Sequence, residues 1–317
     1  MLDINLIRKN PEIVKKDLEK RDMPGMIKKL EKLIELDKRW RDKKQESDKL
    51  KHRRNIISSE IAELKKKGKD VSDKIQLAKD LPGKIDNVDE KKEKYRKEMN
   101  QILMQLPNIL HESVPIGLDD SDNEVIRKYG KKPDFDFKVK SHVDVIEEKD
   151  LVDTEKASEI SGSRFYYLKN ELVLMDWALM KFALDFLTKK EFILIQPPYM
   201  MRRKPYEGVT SLGDFEDVMY KIEGKDNYLI ATSEHPIAAY KMNEVIEEEE
   251  LPLEYAGISP CFRKEAGSHG KDTKGIFRVH HFNKIEQFVF SKPEDSWNIH
   301  EELIKNAEKL IQALQLP

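Results

Sequence analysis

Cysteine is almost absent: Cys261 is the single one in 317 residues. One thiol allows no internal disulfide framework and no cysteine-based zinc finger. Long hydrophobic runs are missing as well. The most apolar stretch, Leu172 to Leu187, is broken by Asp176, Lys181 and Asp185, which excludes it as a membrane-spanning helix. The amino terminus MLDINLIRKN has no charged-then-apolar leader. The expectation is a soluble, cytoplasmic protein with no membrane partner. Familiar nucleotide, zinc and hydrolase signatures are lacking too: no G-x-x-x-x-G-K-[ST], G-x-G-x-x-G, H-E-x-x-H or G-x-S-x-G occurs. The adjacent His280 and His281 fall on a predicted strand, so they point to opposite faces and make poor joint metal ligands. No metal site is expected in this chain.

What is present is charge. Charged residues make up 37 % and hydrophobic ones only 38 %, yet 12 Phe, 10 Tyr and 3 Trp argue against disorder. This mixture, at a length suited to about two domains, points to a globular part joined to an extended, solvated part. The formal net charge of -2 conceals a local excess, 15 Lys/Arg against 8 Asp/Glu between Lys28 and Lys67. A basic stripe on an elongated element suits nucleic acid. A solvated helix face is the simpler reading of it.

The first helix is signposted by Asn10 as cap, Pro11 in the first turn and Glu12 at the positive end of the dipole. A heptad seam then runs through Leu33, Leu36, Trp40, Leu50, Ile57, Ile61 and Leu64. A return seam follows at Ile85, Val88, Lys92, Tyr95, Met99, Ile102 and Leu106. Joined by a polar turn at Lys67 to Ser72, the two predict an antiparallel coiled-coil hairpin. Pro82-Gly83 predicts a break or kink in the returning helix. Pro107, Pro115, Gly117, Gly130 and Pro133 mark a linker. Beyond it lies an α+β half: a helix over Leu172 to Thr188 with Met175, Leu179, Phe182 and Phe186 on one face. Strands are predicted at Phe192 to Pro198, Tyr228 to Thr232 and Phe277 to Phe290.

The richest stretch runs CFRKEAGSHGKDTKGIFRVHHFNKIE, from Cys261 to Glu286. It predicts strand, glycine-punctuated loop, strand. Arg263 and Glu265 are two apart, as are Thr232 and Glu234, and even spacing also joins Arg278, Phe282 and Glu286, so each set shares a strand face. Two arginines, two carboxylates and an aromatic ring on one surface suit a nucleotide, guanidinium on phosphate and ring on base. A hairpin carrying cross-strand ion pairs is the plainer alternative.

This stretch resembles motif 2 of the class II aminoacyl-tRNA synthetases in the form that seryl-tRNA synthetases carry. The resemblance extends along the whole chain, from MLDINLIRKNPEIV through the coiled-coil arm, SVPIGLDDSDNEVIRKYG, SGSRFYYL, the Pro-Pro after FILIQ and TSEHPI. It implies residues 1–110 as a helical tRNA-binding arm, with the hairpin at about 27–106. Residues 111–317 would be a class II antiparallel-sheet catalytic domain, incomplete at its carboxyl end. The helix and strand of Leu172 to Pro198 resemble motif 1, which implies a homodimer interface.

The resemblance further implies an enzyme that activates serine with ATP and transfers it to tRNA(Ser), with tRNA(Sec) as a second candidate. Thr232, Ser233, Glu234 and Glu286 would bind serine. Arg263, Lys264, Glu265, Val279 and Phe282 would bind ATP, Arg263 acting catalytically at the α-phosphate and Phe282 stacking on adenine. Lys43, Lys44, Lys51, Arg53 and Arg54 on the arm would contact tRNA, as would Lys271, Lys274 and His269 near the acceptor end. Mg2+ is expected with ATP. Motif 3, a G-x-G-x-A-x-x-R segment, has no counterpart in the 31 residues after Glu286. That absence implies a fragment or a truncated product whose activity alone is weak or nil, with the Mg2+ ligands in the missing part. The rival reading is a truncated or non-catalytic synthetase-like tRNA-binding protein.

Overall fold

A computed structural model describes residues 2–117, 119–210, 216–265 and 276–317. The chain divides into two compact units, Met1–Glu124 and Val125–Pro317.

In the first unit Asp3 caps α1 (Ile4–Lys9), its Oδ1 accepting from the Asn5 amide at 2.8 Å. The second helix, α2 (Pro11–Lys20), starts at Pro11 as expected, with Glu12 in its first turn. Asn10 makes no side-chain cap; its amide donates to Leu6 at 2.8 Å and closes α1 instead. Two long helices follow, α3 (Pro24–Lys66) and α4 (Ser72–Leu103). Their turn ends α3 in a Schellman arrangement. The Lys69 amide donates to Leu64 at 3.0 Å and the Gly68 amide to Lys65 at 3.1 Å. Gly68 sits at φ +63°, where a side chain would be strained.

The two seams meet as anticipated. Leu33, Leu36 and Ile57 of α3 are buried, as are Ile85, Val88, Met99 and Ile102 of α4. At the base of the hairpin Ile7, Val14 and Leu18 of the short helices join Leu30, Leu33, Leu103 and Leu106 in one core. The buried Asp37 carboxylate there accepts from Arg8 at 2.6 Å and Arg41 at 2.9 Å. Of the break or kink expected at Pro82, the break does not occur: α4 is continuous through it. A helical proline costs about 3 kcal/mol, and the buried Leu81 and Ile85 beside it supply seam packing that holds the helix together.

The second unit opens with α5 (His142–Glu148), β1 (Val152–Asp153), α6 (Thr154–Ser161) and β2 (Tyr167–Leu168), β1 pairing antiparallel with β2. Then come α7 (Asn170–Thr188), β3 (Ile193–Ile195), β4 (Met200–Arg202), α8 (Arg203–Val209) and β5 (Asn227–Leu229), with β4 antiparallel to β5. The chain continues through α9 (Glu234–Ala238), β6 (Leu253–Phe262), β7 (His281–Phe290) and α10 (Ser296–Ala313). The main sheet has order β3-β6-β7. A ten-residue antiparallel β6–β7 hairpin carries β3 alongside β6 in parallel. On one face Ala256, Ile285 and Val289 pack with Leu187, Phe192 and Leu303. The opposite face receives α9 and the candidate site.

Candidate active site

The β6–β7 register pairs Gly257 with Glu286, Ser259 with Lys284 and Cys261 with Phe282. All six lie on one sheet face, because side chains alternate along a strand. Gly257 is what admits α9 to that face. A Cβ there would fall 2.4 Å from Ile237 Cδ1 and 3.2 Å from the Ser233 side chain.

The turn ahead of α9 brings Thr232 over Glu286. Thr232 Oγ1 donates to Glu286 Oε2 at 3.0 Å and accepts from Lys284 Nζ at 2.9 Å and from the Glu234 amide at 3.2 Å. One proton and two lone pairs are thereby all used. Lys284 also forms an ion pair with Glu286. The expected strand through Thr232 ends earlier, at Leu229. Thr232 therefore does not share a strand face with Glu234. Its hydroxyl captures the amide two residues on, a local bond that competes with the ladder and starts a helix. Glu234 then presents its carboxylate from the first turn of α9, exposed. Ser233 is fully buried, its Oγ without a partner. Its side chain lies close to Gly257 of β6, between the sheet and α9.

At the hairpin's open end Arg263 continues the pairing, its amide donating to His280 at 2.9 Å. Its Nε donates to Ala231 O at 3.3 Å and its guanidinium lies 5.2 Å from the centre of the Phe282 ring. Arg263 and Phe282 are thus adjacent, next to the Thr232 turn. Lys264 turns elsewhere, Nζ donating to Glu216 O at 3.3 Å and its amide to Val218 at 2.8 Å. The expected shared face of Arg263 and Glu265 is not formed. The strand ends at Phe262, and Glu265 adopts φ +48°, which breaks the alternation. Arg164 Nη1 donates to the Glu265 carbonyl at 2.6 Å, and the Glu265 carboxylate lies 3.9 Å from Arg278 Nη1. Arg278 likewise precedes β7, outside the face of Phe282 and Glu286, and Val279 is buried.

Below the pocket floor His235 Nδ1 bonds Tyr206 Oη at 3.0 Å, and that hydroxyl accepts from the Ala231 amide at 3.4 Å. Burial pushes the Tyr206 hydroxyl up to about 12. Burial, followed by the nearby Lys284 and Arg263 charges, pushes His235 down to about 4. A neutral imidazole and a neutral phenol therefore support the turn from beneath. Burial also raises the Cys261 thiol, which makes it inert packing. His280 bonds Tyr220 Oη at 2.9 Å and the Arg263 carbonyl at 2.8 Å, whereas His281 stacks on Phe262, so the two histidines do different structural work.

Sequence reasoning passed over Lys284 and Arg164. Lys284 was findable, since it lies on the Phe282–Glu286 face by even spacing. Arg164 reaches its carbonyl across 101 positions with no local pattern to announce it.

On the arm, Lys43 pairs with Glu46 at 2.6 Å, Lys51 with Asp89 at 2.8 Å, and Lys44 lies 5.6 Å from the Trp40 ring. Arg53 and Arg54 are exposed. His269, Lys271 and Lys274 lie outside the described residues.

Known proteins bear on this geometry at several levels. Residues 1–110 match the Seryl-tRNA synthetase N-terminal domain, and residues 219–317 the tRNA synthetase class II core domain (G, H, P, S and T). A serine--tRNA ligase of Thermococcus onnurineus is 50 % identical over 337 aligned positions, which cover all of this chain and 74 % of the relative. One of Methanoregula boonei is 51 % identical over 317, covering all of this chain and 75 % of the relative. The chain thus spans about three quarters of the length of these curated relatives. The crystal structure of seryl-tRNA synthetase from Pyrococcus horikoshii complexed with ATP superposes with a TM-score of 0.87 at 47 % identity, covering 98 % of this chain and 74 % of that one. The Naegleria fowleri cytoplasmic enzyme in complex with AMP gives 0.82 at 35 %, covering 99 % and 76 %. With both regions matched and half the residues identical to curated relatives along its whole length, the chain belongs to the seryl-tRNA synthetase family.

Proposed function

We propose that this chain is a serine--tRNA ligase: it joins serine to ATP as seryl-adenylate, releasing pyrophosphate, and passes the seryl group to the terminal ribose of tRNA(Ser). A non-catalytic relative would have no need of the pocket constellation. The observation that carries the reading is the Thr232–Lys284–Glu286 cluster beside Arg263 and Phe282 on one sheet face. Glu286 Oε1 accepts no hydrogen bond from any described residue, so it can accept one from serine's hydroxyl. Glu234 offers a carboxylate to the ammonium group. Arg263 stands where a guanidinium can neutralise the α-phosphate while serine's carboxylate attacks it, and Phe282 offers its ring to adenine. Glu265 bounds the adenine side, with the Val279 backbone and Lys264 behind it. Serine is its own nucleophile, so catalysis here is orientation and charge neutralisation. Among the described residues no three His, Cys, Asp or Glu side chains are grouped to hold a metal ion. Mg2+ is expected to accompany ATP.

The arm grips the tRNA backbone through Arg53, Arg54, Lys44 and the more engaged Lys43 and Lys51, and the loop of His269, Lys271 and Lys274 approaches the acceptor end. tRNA(Sec) is a second candidate on the same footing. The domain division at residues 110 and 111, the homodimer through α7 and the cytoplasmic location belong to the same reading; among the described residues no helix is long and apolar enough to cross a membrane.

The test is calorimetric titration with non-hydrolysable seryl- and alanyl-adenylate analogues. A site built to bond a hydroxyl rejects the analogue lacking it by up to about 10⁴-fold. Glu286→Gln is expected to lose most of that preference. Equal binding of both analogues by the wild type would overturn the proposal.

A further inference from the structure

Lys284 is the one cation among the described residues of the serine pocket to which no substrate role has been assigned. Its Nζ reaches Thr232 Oγ1 at 2.9 Å and pairs with Glu286, while Thr232 Oγ1 itself donates to Glu286 Oε2 at 3.0 Å. The three groups close a triangle. Its side chain is 28 % exposed and that of Glu286 19 %, so the pair sits at the pocket wall rather than in bulk water.

Two consequences follow from the directions of these hydrogen bonds. Lys284 has only protons to give, so at Thr232 it must take a lone pair. The Glu234 amide takes the other. The hydroxyl proton then has a single direction left, toward Glu286 Oε2. The second consequence is electrostatic. A lone carboxylate in a partly desolvated pocket attracts cations before neutral hydroxyls. An ammonium already paired with Glu286 removes that preference and leaves Oε1 as a neutralised acceptor.

Resting on the serine-binding reading of this site, we propose that Lys284 is a positioning and specificity-determining residue: by charge-balancing Glu286 and locking Thr232, it makes Oε1 a hydroxyl acceptor and keeps out cationic side chains. Serine and 2,3-diaminopropionate have the same length and differ in whether the tip is a hydroxyl or an amine. With Lys284 present the diamino acid meets a second ammonium; without it, it meets an open carboxylate.

The experiment measures binding of serine, alanine, 2,3-diaminopropionate and ATP by calorimetry to the wild-type chain, Lys284→Met and Lys284→Arg. In Lys284→Met serine affinity should fall by at least about 10-fold, the order expected for a charged hydrogen-bond donor. The ratio of serine to diaminopropionate affinity should fall at least as far, with ATP affinity kept within about twofold as for a loss confined to one subsite. Lys284→Arg keeps the charge and should keep the exclusion of the diamino acid. Should Lys284→Met not fold, an arginine variant that admits the diamino acid overturns the proposal, and one that excludes it supports the charge argument. Unchanged serine affinity and unchanged ratio in Lys284→Met, with only a lower melting temperature, would assign Lys284 a purely structural role. A wild-type chain that binds no serine would overturn the serine-site reading itself, and this inference with it.

Discussion

His235 supports the pocket from below in its neutral form. Its imidazole is buried against Tyr206, and the folded chain holds its pKa at about 4, against 6.5 for an ordinary histidine. Between those values the unfolded chain binds the proton and the folded chain does not, so stability rises with pH across the window. It is fully present above about 6.5 and lost toward 4, by about 3 kcal/mol at 1.36 kcal/mol per unit. His235→Gln retains a donor and acceptor for Tyr206 but cannot titrate. Urea unfolding at pH 7 and pH 5 should show the wild type losing distinctly more stability on acidification than the variant. Parallel losses would mean that His235 is protonated in the fold. Residue roles of this kind are only partly legible in a sequence. Phe282 and Glu286 share a face because strand register fixes it, Arg263 follows directly on β6, and Thr232 joins them through the turn ahead of α9. The burial of Ser233 against Gly257 was not legible, because its direction depends on a turn that the Thr232 hydroxyl creates.

Among the elements, the arm was the most legible, since a seam repeating every seven residues has one common solution: Leu33, Leu36, Ile57, Ile85, Val88, Met99, Ile102 and Leu106 are buried, and Trp40, Leu50, Ile61, Leu64, Lys92 and Tyr95 are half-buried. Pro82 misleads because local propensity is a weak prior once packing on both sides opposes it. Polar groups beside the seams carry further information. Ser47 is buried on α3 and donates to Asp89 Oδ1 at 2.8 Å, and Asp89 also pairs with Lys51 at 2.8 Å and Lys92 at 2.6 Å. Bonds from Lys51, Lys92 and Ser47 hold the Asp89 carboxyl far below its ordinary value of 3.8. The stability it lends is therefore present above that value and lost as pH falls below it. Asp89→Ala leaves the buried Ser47 hydroxyl without its acceptor and should lower stability by on the order of 1–2 kcal/mol, read as the urea midpoint. A variant as stable as the wild type would show that the knot is ornamental. Outside this knot Arg53 and Arg54 have exposed side chains. Arg53→Glu/Arg54→Glu should weaken tRNA(Ser) binding and flatten its dependence on log salt by about two units, roughly one for each phosphate that goes unneutralised. Neutralising Lys43, already paired with Glu46, should do less. Filter binding at a series of salt concentrations separates the two; an unchanged slope would remove these arginines from the interface.

For the molecule as a whole, the unit Val125–Pro317 leaves several large apolar side chains exposed. On α7, Leu174 is 71 % exposed, Trp177 63 % and Met175 54 %, and Ile193 and Leu194 of the edge strand β3 are about half exposed. Of the face expected to be apolar, Met175 and Leu179 are exposed and Phe186 packs on the core. Contiguous exposed apolar residues mark contact surfaces, and tryptophan and methionine are enriched in such patches. A twofold dimer would cover such a face with the same face of a second copy. The same helix is tied to the site, because Asn283 Nδ2 of β7 donates to Asp176 Oδ2 at 3.1 Å, and β7 carries Phe282, Lys284 and Glu286. Covering α7 should therefore steady the strand that carries the proposed serine site. Light scattering at micromolar concentration should find the wild-type chain dimeric, and Leu174→Glu/Trp177→Glu monomeric. Serine should bind the double variant more weakly, although neither substituted residue touches the pocket. A wild-type chain that stays monomeric would leave the patch without the partner proposed for it. A monomeric variant with undiminished serine affinity would show that the strand needs no support from the interface.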